Sequence, residues 1–311
     1  MQKSYWTHPK ASRAAVAASL ALALLSVGAV EWIRDTPDDS VRQQKASAAK
    51  LASKCLQTLK EERAKRGIEI DPVSDPAQSG MIGFASTPIT SNSGHLPAKQ
   101  TSVNPNFAAA IVEMLHEAGV EEGDVVAVGY SGSFPALNVC ASAALETLTA
   151  KPILIASATG SQFGANHPDY MWLDMEQTLI EKKLIRLKAS AATFGGQDDT
   201  AKTLSPESHR LLMDGIERND VPFLEPANYL DSYQKRIALY EDKADGQPIK
   251  AYINVGGGSV SVGTHLSKHL FRPGLNRHLP EAELPVDSVM GHFLSQGTPV
   301  IHLSQITTLA R

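Results

Sequence analysis

The chain has few cysteines, few aromatic residues and none of the short motifs that mark several common sites. Its 311 residues include two cysteines, Cys55 and Cys140, which are too few for a disulfide framework. No CxxC or HExxH motif is present, so no metal centre is indicated, and no GxxxxGKS/T or GxGxxG motif supports a nucleotide site. We therefore expect no metal and no cofactor, and we expect Cys140 to be a small core residue.

Charge of neither sign dominates the sequence. The chain carries 29 Lys and Arg residues against 33 Asp and Glu residues, for a net charge of −4, and no long basic run lies outside the N-terminus. This balance argues against nucleic acid as a partner. Aromatic residues make up only 6% of the chain, which weakens a carbohydrate-binding interpretation. The length suits one large or two medium domains.

A single long apolar run occupies residues 14–33, and no charge interrupts it before Glu31. A helix of 20 residues rises about 30 Å, which matches the hydrocarbon core of a bilayer. Lys3, Lys10 and Arg13 precede the run, whereas the residues after it are mostly acidic. By the positive-inside rule the N-terminus is cytoplasmic and the rest of the chain lies outside. A cleavable signal peptide ending near Ala29 and a buried helix are the alternatives.

This interpretation divides the chain into four parts. Residues 1–13 form a cytoplasmic tail, residues 14–33 an uncleaved single-pass anchor in the inner membrane, residues 34–67 a juxtamembrane helical segment, and residues 68–311 an extracytoplasmic domain. Residues 71–105 are rich in Pro, Ser, Thr, Gly and Asn, and we expect them to form a long functional or disordered loop.

The remaining sequence alternates between buried strands and amphipathic helices. This order is typical of an α/β fold with a mostly parallel sheet and flanking helices. Apolar runs predict strands at residues 125–128, 152–156, 249–255 and 299–303. Helical periodicity predicts helices at residues 106–119, 135–149, 169–188, 204–219 and 230–244.

Three predicted strands end in similar loops of small polar residues: YSGS at 130–133, SATGS at 157–161 and GGGS at 256–259. Ligands of parallel α/β sheets bind outside the carboxyl ends of the strands. If the three strands are neighbours, their loops form one Ser/Gly-lined crevice that offers backbone N–H groups to an anion. Otherwise these residues only make tight turns. The predicted ligand-binding residues are Ser131, Gly132, Ser133, Asn138, Thr159, Ser161, Asn166, Asn254, Gly256, Gly257, Gly258 and Ser259.

The first of these loops also resembles a nucleophile elbow. GYSGS differs from the GxSxG pattern only in its last residue, and Ser131 occupies the nucleophile position. In an enzyme, Ser131 or Ser133 would be the nucleophile, and the other candidate catalytic residues are His167, Asp174 and Glu176. His265, His269, His292 and His302 are further possible bases that the sequence does not pair. Alternatively, the two acids simply favour the start of a helix.

The segments GYSGSFPALN, SQFGANHPDYMWLDME and INVGGGSVSVGT, behind a short tail and one anchor, resemble the poly-gamma-glutamate system protein family (PgsW type). The resemblance covers nearly the whole chain. It implies a membrane-anchored component of the bacterial machinery that makes or exports poly-gamma-glutamate, with this polymer or glutamate oligomers and the membrane subunits of a polymer synthase as partners. It implies no catalytic residues.

Three functions are therefore open. The first is an accessory protein of poly-gamma-glutamate assembly, export or processing, with an anion-binding crevice. The second is an extracytoplasmic serine hydrolase or transpeptidase of gamma-glutamyl amides. The third is a non-catalytic scaffold whose loops are only turns. The polymer carries a carboxylate on each residue, and a mildly acidic domain repels a long polyanion. We therefore expect recognition of a chain end or of a few residues.

Overall fold

The N-terminal helix α1 spans Arg13–Ile33 in the computed structural model, which describes residues 12–33 and 39–310. The helix is long and apolar enough to cross a membrane, and no part of its most apolar stretch, Arg13–Val30, is buried. Such an all-round apolar surface suits lipid better than water. The predicted tail lies outside the described residues apart from Ser12 and Arg13, and so does the start of the predicted juxtamembrane segment, residues 34–38.

The chain divides into two compact units, one ending at Arg42 and the other beginning at Gln43. The second unit contains most of helix α2, which spans Asp39–Lys65. Ala48, Ala52 and Leu59 of this helix are fully buried, because they recur at helical spacing and face the core. The second unit thus includes most of the helix that the sequence analysis assigns to the juxtamembrane segment.

The second unit continues with alternating strands and helices. Its strands are β1 (Val125–Ser131), β2 (Lys151–Ser157), β3 (Asn166–His167), β4 (Tyr170–Met171), β5 (Ala191–Thr193), β6 (Ile249–Val255), β7 (Gly274–Asn276) and β8 (Val300–Leu303). Its further helices are α3 (Leu96–Ser102), α4 (Phe107–Glu117), α5 (Pro135–Thr147), α6 (Trp172–Glu181), α7 (Pro206–Glu217), α8 (Tyr229–Ala244), α9 (Ser259–Val262), α10 (Thr264–Ser267), α11 (Val289–Ser295) and α12 (Ile306–Leu309).

Six strands form one sheet in the order β5-β2-β1-β6-β8-β7. All neighbours are parallel except β7, which pairs antiparallel with β8 at the edge. The chain builds outward from β1 to β2 and β5 on one side, and then places β6 and β8 on the other side. The topological switch point, where α/β sheets bind ligands, is therefore at the carboxyl ends of the paired strands β1 and β6. The predicted α/β class with a mostly parallel sheet and flanking helices is confirmed.

Hydrophobic cores cover both faces of the sheet. Alternate residues of β1 enter different cores: Val126 and Val128 pack in the larger core with α2, α4, α5 and α6, whereas Val125 and Ala127 pack in the smaller core with α8 and α11. This alternation follows from the two-residue period of a strand. Cys55 and Cys140 are free and buried in the larger core, as expected for Cys140, and burial raises the pKa of each thiol to about 12.

The element bounds differ from the sequence prediction in informative ways. Strand β1 runs three residues beyond 128, because Gly129–Ser131 continue the ladder with β2 up to Ser157. Helix α6 ends at Glu181 and not at 188, because the positive φ of Lys183 is incompatible with a helix. The predicted loop 71–105 contains α3 and several buried residues that tie it to the domain, among them Asp75, Ile89 and Lys99.

Candidate functional site

The three Ser/Gly loops lie side by side, as the sequence predicts for neighbouring strands. Strand β1 lies between β2 and β6, and Ser131 pairs in register with Ser157. The loop after β6 begins at Gly256, whose N–H donates to the carbonyl of Leu303 at the end of β8. All three loops are therefore at the carboxyl edge of the sheet, next to the switch point.

The loops after β1 and β2 pack against each other without a gap. A Cβ atom on Gly132 would lie 2.5 Å from the carbonyl oxygen of Thr159, and one on Gly164 would lie 2.8 Å from the Cα of Ser133. The N–H of Ala165 donates to the Gly132 carbonyl at 2.7 Å. Glycine is needed at 132 and 164 because the backbones approach this closely. This part of the edge is a packed structural unit.

Several of the predicted ligand-binding residues are buried inside that unit, among them Thr159, Asn138 and Asn166. Thr159 is only 2% exposed. The Asn138 side chain donates to the Ser131 carbonyl at 3.0 Å and so holds the end of β1. Asn166 accepts from the N–H of Phe84 and donates to its carbonyl, which attaches the segment after α2 to the β2 loop. Each of these groups has a structural role in positioning the edge.

Ser131 and Ser133 are half-buried, and each hydroxyl accepts a hydrogen bond from a backbone N–H group. Ser131 Oγ accepts from Ser133 N at 3.2 Å, and Ser133 Oγ accepts from Ser161 N at 3.0 Å. Among the described residues, neither hydroxyl has a histidine or carboxylate as a hydrogen-bond partner. The described side chains therefore do not form the Ser-His-acid arrangement of a nucleophile elbow around Ser131 or Ser133.

The other predicted catalytic residues lie elsewhere. His167 packs against Phe84 beside Arg66 and Asp169, at a cavity of about 490 Å³, and burial is the main cause that lowers its pKa. Asp174 caps α6 by accepting from Met171 N, and Arg218 donates to both of its oxygens, so it has a structural role.

Glu176 is 2% exposed and lies beside Ala189 and Trp172, two residues of the larger core. It accepts from Ala189 N at 2.8 Å. Burial is the main cause that raises the pKa of its carboxyl to about 7, against the lowering effects of the Ala189 hydrogen bond, of Lys188 and of the nearby Trp172 indole. Among the described residues, neither the indole N–H of Trp172 nor Oε1 of Glu176 has a hydrogen-bond partner, so the two groups are near each other without forming a hydrogen bond.

The loop after β6 is the open part of the edge. Gly257 and Gly258 are exposed, and within the described chain neither N–H group has a hydrogen-bond acceptor. Gly256 has a φ of +83°, and a Cβ atom there would lie 3.5 Å from Ser131 Oγ. Glycine is needed at 256 because of this positive φ and because its backbone approaches Ser131 this closely. We call the part of the edge formed by Ser131, Gly256, Gly257, Gly258 and Lys268 the switch-point crevice.

Lys268 supplies a positive charge at this crevice. Its Nζ would lie 3.2 Å from a Cβ atom on Gly257, and the residue is exposed. The lysine lies 10 residues after Gly258, in a segment that carried no motif, so the sequence did not single it out. Two backbone N–H groups next to a cation are the groups of a typical carboxylate-binding site.

A chain of hydrogen bonds between buried polar side chains lies next to the crevice. Asn254 Nδ2 donates to the Gly256 carbonyl at 2.8 Å and to His302 Nδ1 at 3.0 Å. Because Nδ1 accepts, the proton of this imidazole is on Nε2, which donates to Ser304 Oγ at 2.7 Å. Burial lowers the pKa of His302 to about 4, and nearby Lys268 adds to this effect, so the ring is neutral at neutral pH. Ser304 Oγ accepts this hydrogen bond, so its own O–H group is left to donate to another acceptor.

A buried ion pair supports the edge from the β5 side. Arg236 of α8 donates to Asp199 Oδ2 at 2.7 Å and to Oδ1 at 3.0 Å, and both side chains are less than 10% exposed. Ser232 Oγ also donates to Asp199, at 2.6 Å. Ser259 Oγ donates a hydrogen bond of 3.3 Å to the carbonyl of Gly196, which lies in the same loop as Asp199. The pair therefore connects α8 to the open loop after β6.

Comparisons of the chain with protein-family models, with curated proteins and with solved structures return no match.

Proposed function

We propose that the switch-point crevice binds carboxylate groups, and that the chain is a membrane-anchored accessory of poly-gamma-glutamate biosynthesis or export. The observation that carries the proposal is the pair of N–H groups at Gly257 and Gly258, which lie beside Lys268 and have no acceptor among the described residues. A carboxylate can accept a hydrogen bond from each of these N–H groups and form an ion pair with the ammonium group of Lys268. Ser131 and Ser304 add hydroxyl groups near the same edge, and the resemblance in the sequence points to a carboxylate polymer.

The size of the crevice limits what it recognises. It offers one lysine and a few donors, whereas the whole chain carries a net charge of −4. A long polyanion is repelled by such a chain, while one terminal residue or a short stretch of glutamates gains local contacts. We therefore propose that the protein engages one end of the polymer or a few residues of it.

The proposed location is extracytoplasmic. Helix α1 supplies the anchor, and the basic residues before it orient the N-terminus toward the cytoplasm. A phosphatase that is active only outside the cytoplasm, fused after the last residue, tests this orientation. Activity of the fusion supports the proposed topology, and an inactive but expressed fusion refutes it.

A backbone substitution tests the carboxylate site directly. Gly258 has φ −57° and ψ 135°, which proline adopts, so Gly258→Pro removes one N–H group at little conformational cost. Gly258→Ala is the matched control, because it keeps the N–H group and its Cβ atom would be 3.7 Å from the nearest side-chain atom. A hydrogen bond to a charged group contributes about 1.5–3 kcal/mol. We expect Gly258→Pro to weaken binding about 10- to 100-fold and Gly258→Ala to leave it nearly unchanged.

The measurement is calorimetric titration of the full chain in lipid nanodiscs with short gamma-linked glutamate oligomers. The same oligomers with esterified carboxyl groups should not bind, and Lys268→Gln should weaken binding and reduce its dependence on salt. Equal affinity of the proline and alanine variants, or equal binding of the esterified oligomers, would refute the carboxylate site.

A further inference from the structure

A buried lysine lies beneath the packed loops after β1 and β2. Lys99 comes from α3 and is only 3% exposed. Its Nζ donates to the backbone carbonyl of Ser133 and lies 2.9 Å from Ser161 Oγ. The same nitrogen is 3.8 Å from the centroid of the Phe134 ring. No aspartate or glutamate in the described part of the chain forms an ion pair with it.

The environment of this lysine favours its neutral form. Burial lowers the pKa of the Lys99 ammonium to about 7, and no nearby carboxylate counteracts that effect. A neutral amine has a lone pair, so it can accept a proton as well as donate one. At 2.9 Å from Ser161 Oγ, it is within hydrogen-bond reach of the proton that a serine nucleophile must lose.

We propose that Ser161 and Lys99 form a serine–lysine pair that performs acyl transfer on amide or ester substrates. The serine is the outer member, with 7% of its surface exposed, and the lysine lies below it. This assignment is independent of the carboxylate site, because it uses neither Lys268 nor the loop after β6. It also differs from a nucleophile elbow, since the nucleophile follows β2 and not β1.

The reaction is balanced without a cofactor. Ser161 Oγ attacks the carbonyl carbon of the substrate while its proton moves to Lys99 Nζ, which gives a tetrahedral intermediate. The intermediate collapses, the bond to the leaving amine or alkoxide breaks, and Lys99 returns the proton to that group. A water molecule, or an amine in a transfer reaction, then attacks the acyl-serine by the same proton exchange and releases Ser161.

The packing keeps the two side chains in position. Ser161 N donates to Ser133 Oγ at 3.0 Å, and Ser133 O accepts from Lys99, so the three residues form a closed set of contacts. On the other side, Gln162 N donates to the Asn92 carbonyl at 2.9 Å, which fixes the backbone next to the nucleophile. A fixed base and a fixed nucleophile are what serine–lysine catalysis requires.

The variant Ser161→Cys reports how Lys99 changes the pKa of the group at position 161. The native thiols are buried and poorly ionised, so Ser161→Cys introduces one thiol that reacts with iodoacetamide over a low background. We expect its alkylation rate to rise with a midpoint below the ordinary cysteine value of about 8.5, and to shift upward by at least about one pH unit when Lys99→Met is added. Ser133→Cys is the control, because the lysine contacts the carbonyl of that residue and not its hydroxyl.

A phosphonylating probe tests the native serine in the full chain. A fluorophosphonate should label Ser161 with loss of fluoride, at a rate that rises with pH near 7, and mass spectrometry locates the adduct. Lys99→Met should reduce labelling at least about 100-fold, with circular dichroism to confirm that the variant is folded.

Labelling at Ser161 that depends on Lys99 supports the pair. No labelling at Ser161 between pH 7 and 9, or a Ser161→Cys thiol that titrates like the Ser133→Cys control, overturns it. Neither result affects the Gly258 binding experiment, so the two proposals can fail separately.

Discussion

Neutralising Asp199 should destabilise the domain strongly, because it leaves the buried guanidinium of Arg236 without a counter-charge. Asp199 has a φ of +64°, a conformation that asparagine tolerates well, so Asp199→Asn removes the charge without adding backbone strain. Burial lowers the pKa of Arg236, but the carboxylate of Asp199 more than offsets this effect and holds the pKa above its usual value. The guanidinium of Arg236 is charged in the wild type and also in Asp199→Asn, because arginine is not deprotonated in proteins.

The expected cost follows from the geometry of the pair. Two hydrogen bonds of 2.7 and 3.0 Å join side chains that are only 4% and 7% exposed. Removing one partner of such a buried pair costs about 3–5 kcal/mol, mainly because the other charge stays buried. Arg236→Met should have a similar cost. The double variant leaves no unpaired charge, so its cost should be at least about 1 kcal/mol less than the sum of the two single costs.

Urea unfolding of the full chain in detergent, followed by circular dichroism and by the fluorescence of buried Trp172, measures these free energies. Asp214→Asn is a suitable control, because no ion pair of Asp214 is present in the described part of the chain. A cost below about 1 kcal/mol for Asp199→Asn, or additive costs in the double variant, would show that the pair does not support the edge of the sheet.

Two further predictions concern the pH dependence of stability and the packing of the loops. The pKa of Glu176 is about 7 in the folded protein against 4.5 for the ordinary residue, so the stability that its protonated form provides is present below pH 4.5 and is lost as pH rises through 7. Glu176→Gln should remove about 3 kcal/mol of that decline in the free energy of unfolding. Urea unfolding at pH 4.5, 7 and 8.5 measures it. If the Glu176 carboxyl titrates normally, the variant and the wild type will show the same pH dependence of stability. Gly132→Ala should lower the free energy of unfolding by about 1–3 kcal/mol, because its Cβ atom would lie 2.5 Å from the Thr159 carbonyl oxygen. Gly258→Ala, whose Cβ atom has room, should change it little. Thermal melting compares the two variants, and equal melting temperatures would contradict the close packing of the loops after β1 and β2.

The sheet was largely predictable because buried parallel strands leave a strong local signal. Apolar runs such as residues 249–255 coincide with β6, and the loops that follow three of the strands are recognisable by their small polar residues. Short elements were missed for the opposite reason. Strands β5 and β7 have three residues each, and α3 lies in a segment whose composition is that of a loop. A few residues carry too little periodicity for any pattern to be detected.

The site was only partly predictable, because function-bearing side chains meet through the fold. The sequence drew attention to Ser131, Ser161 and the glycines after β6, which do lie along one edge of the sheet. It also named His167, Asp174 and Glu176 as candidate catalytic residues for the case of an enzyme, with a helix start as the alternative role of the two acids. The structure gives these three residues separate positions: a cavity beside Phe84 for His167, an ion pair with Arg218 for Asp174, and a buried position beside Ala189 for Glu176.

The sequence by itself determined the elements and their order. Hydrophobic periodicity fixes which segments are strands and helices, a charge-free run of apolar residues gives α1 the length of a membrane span, and glycine and serine mark the strand ends. Only the tertiary structure decided which polar groups are buried together. Lys99 lies 62 residues before Ser161, and Asp199 lies 37 residues before Arg236. The pKa values and strengths of such pairs depend on desolvation, which arises only when distant segments close around a charge.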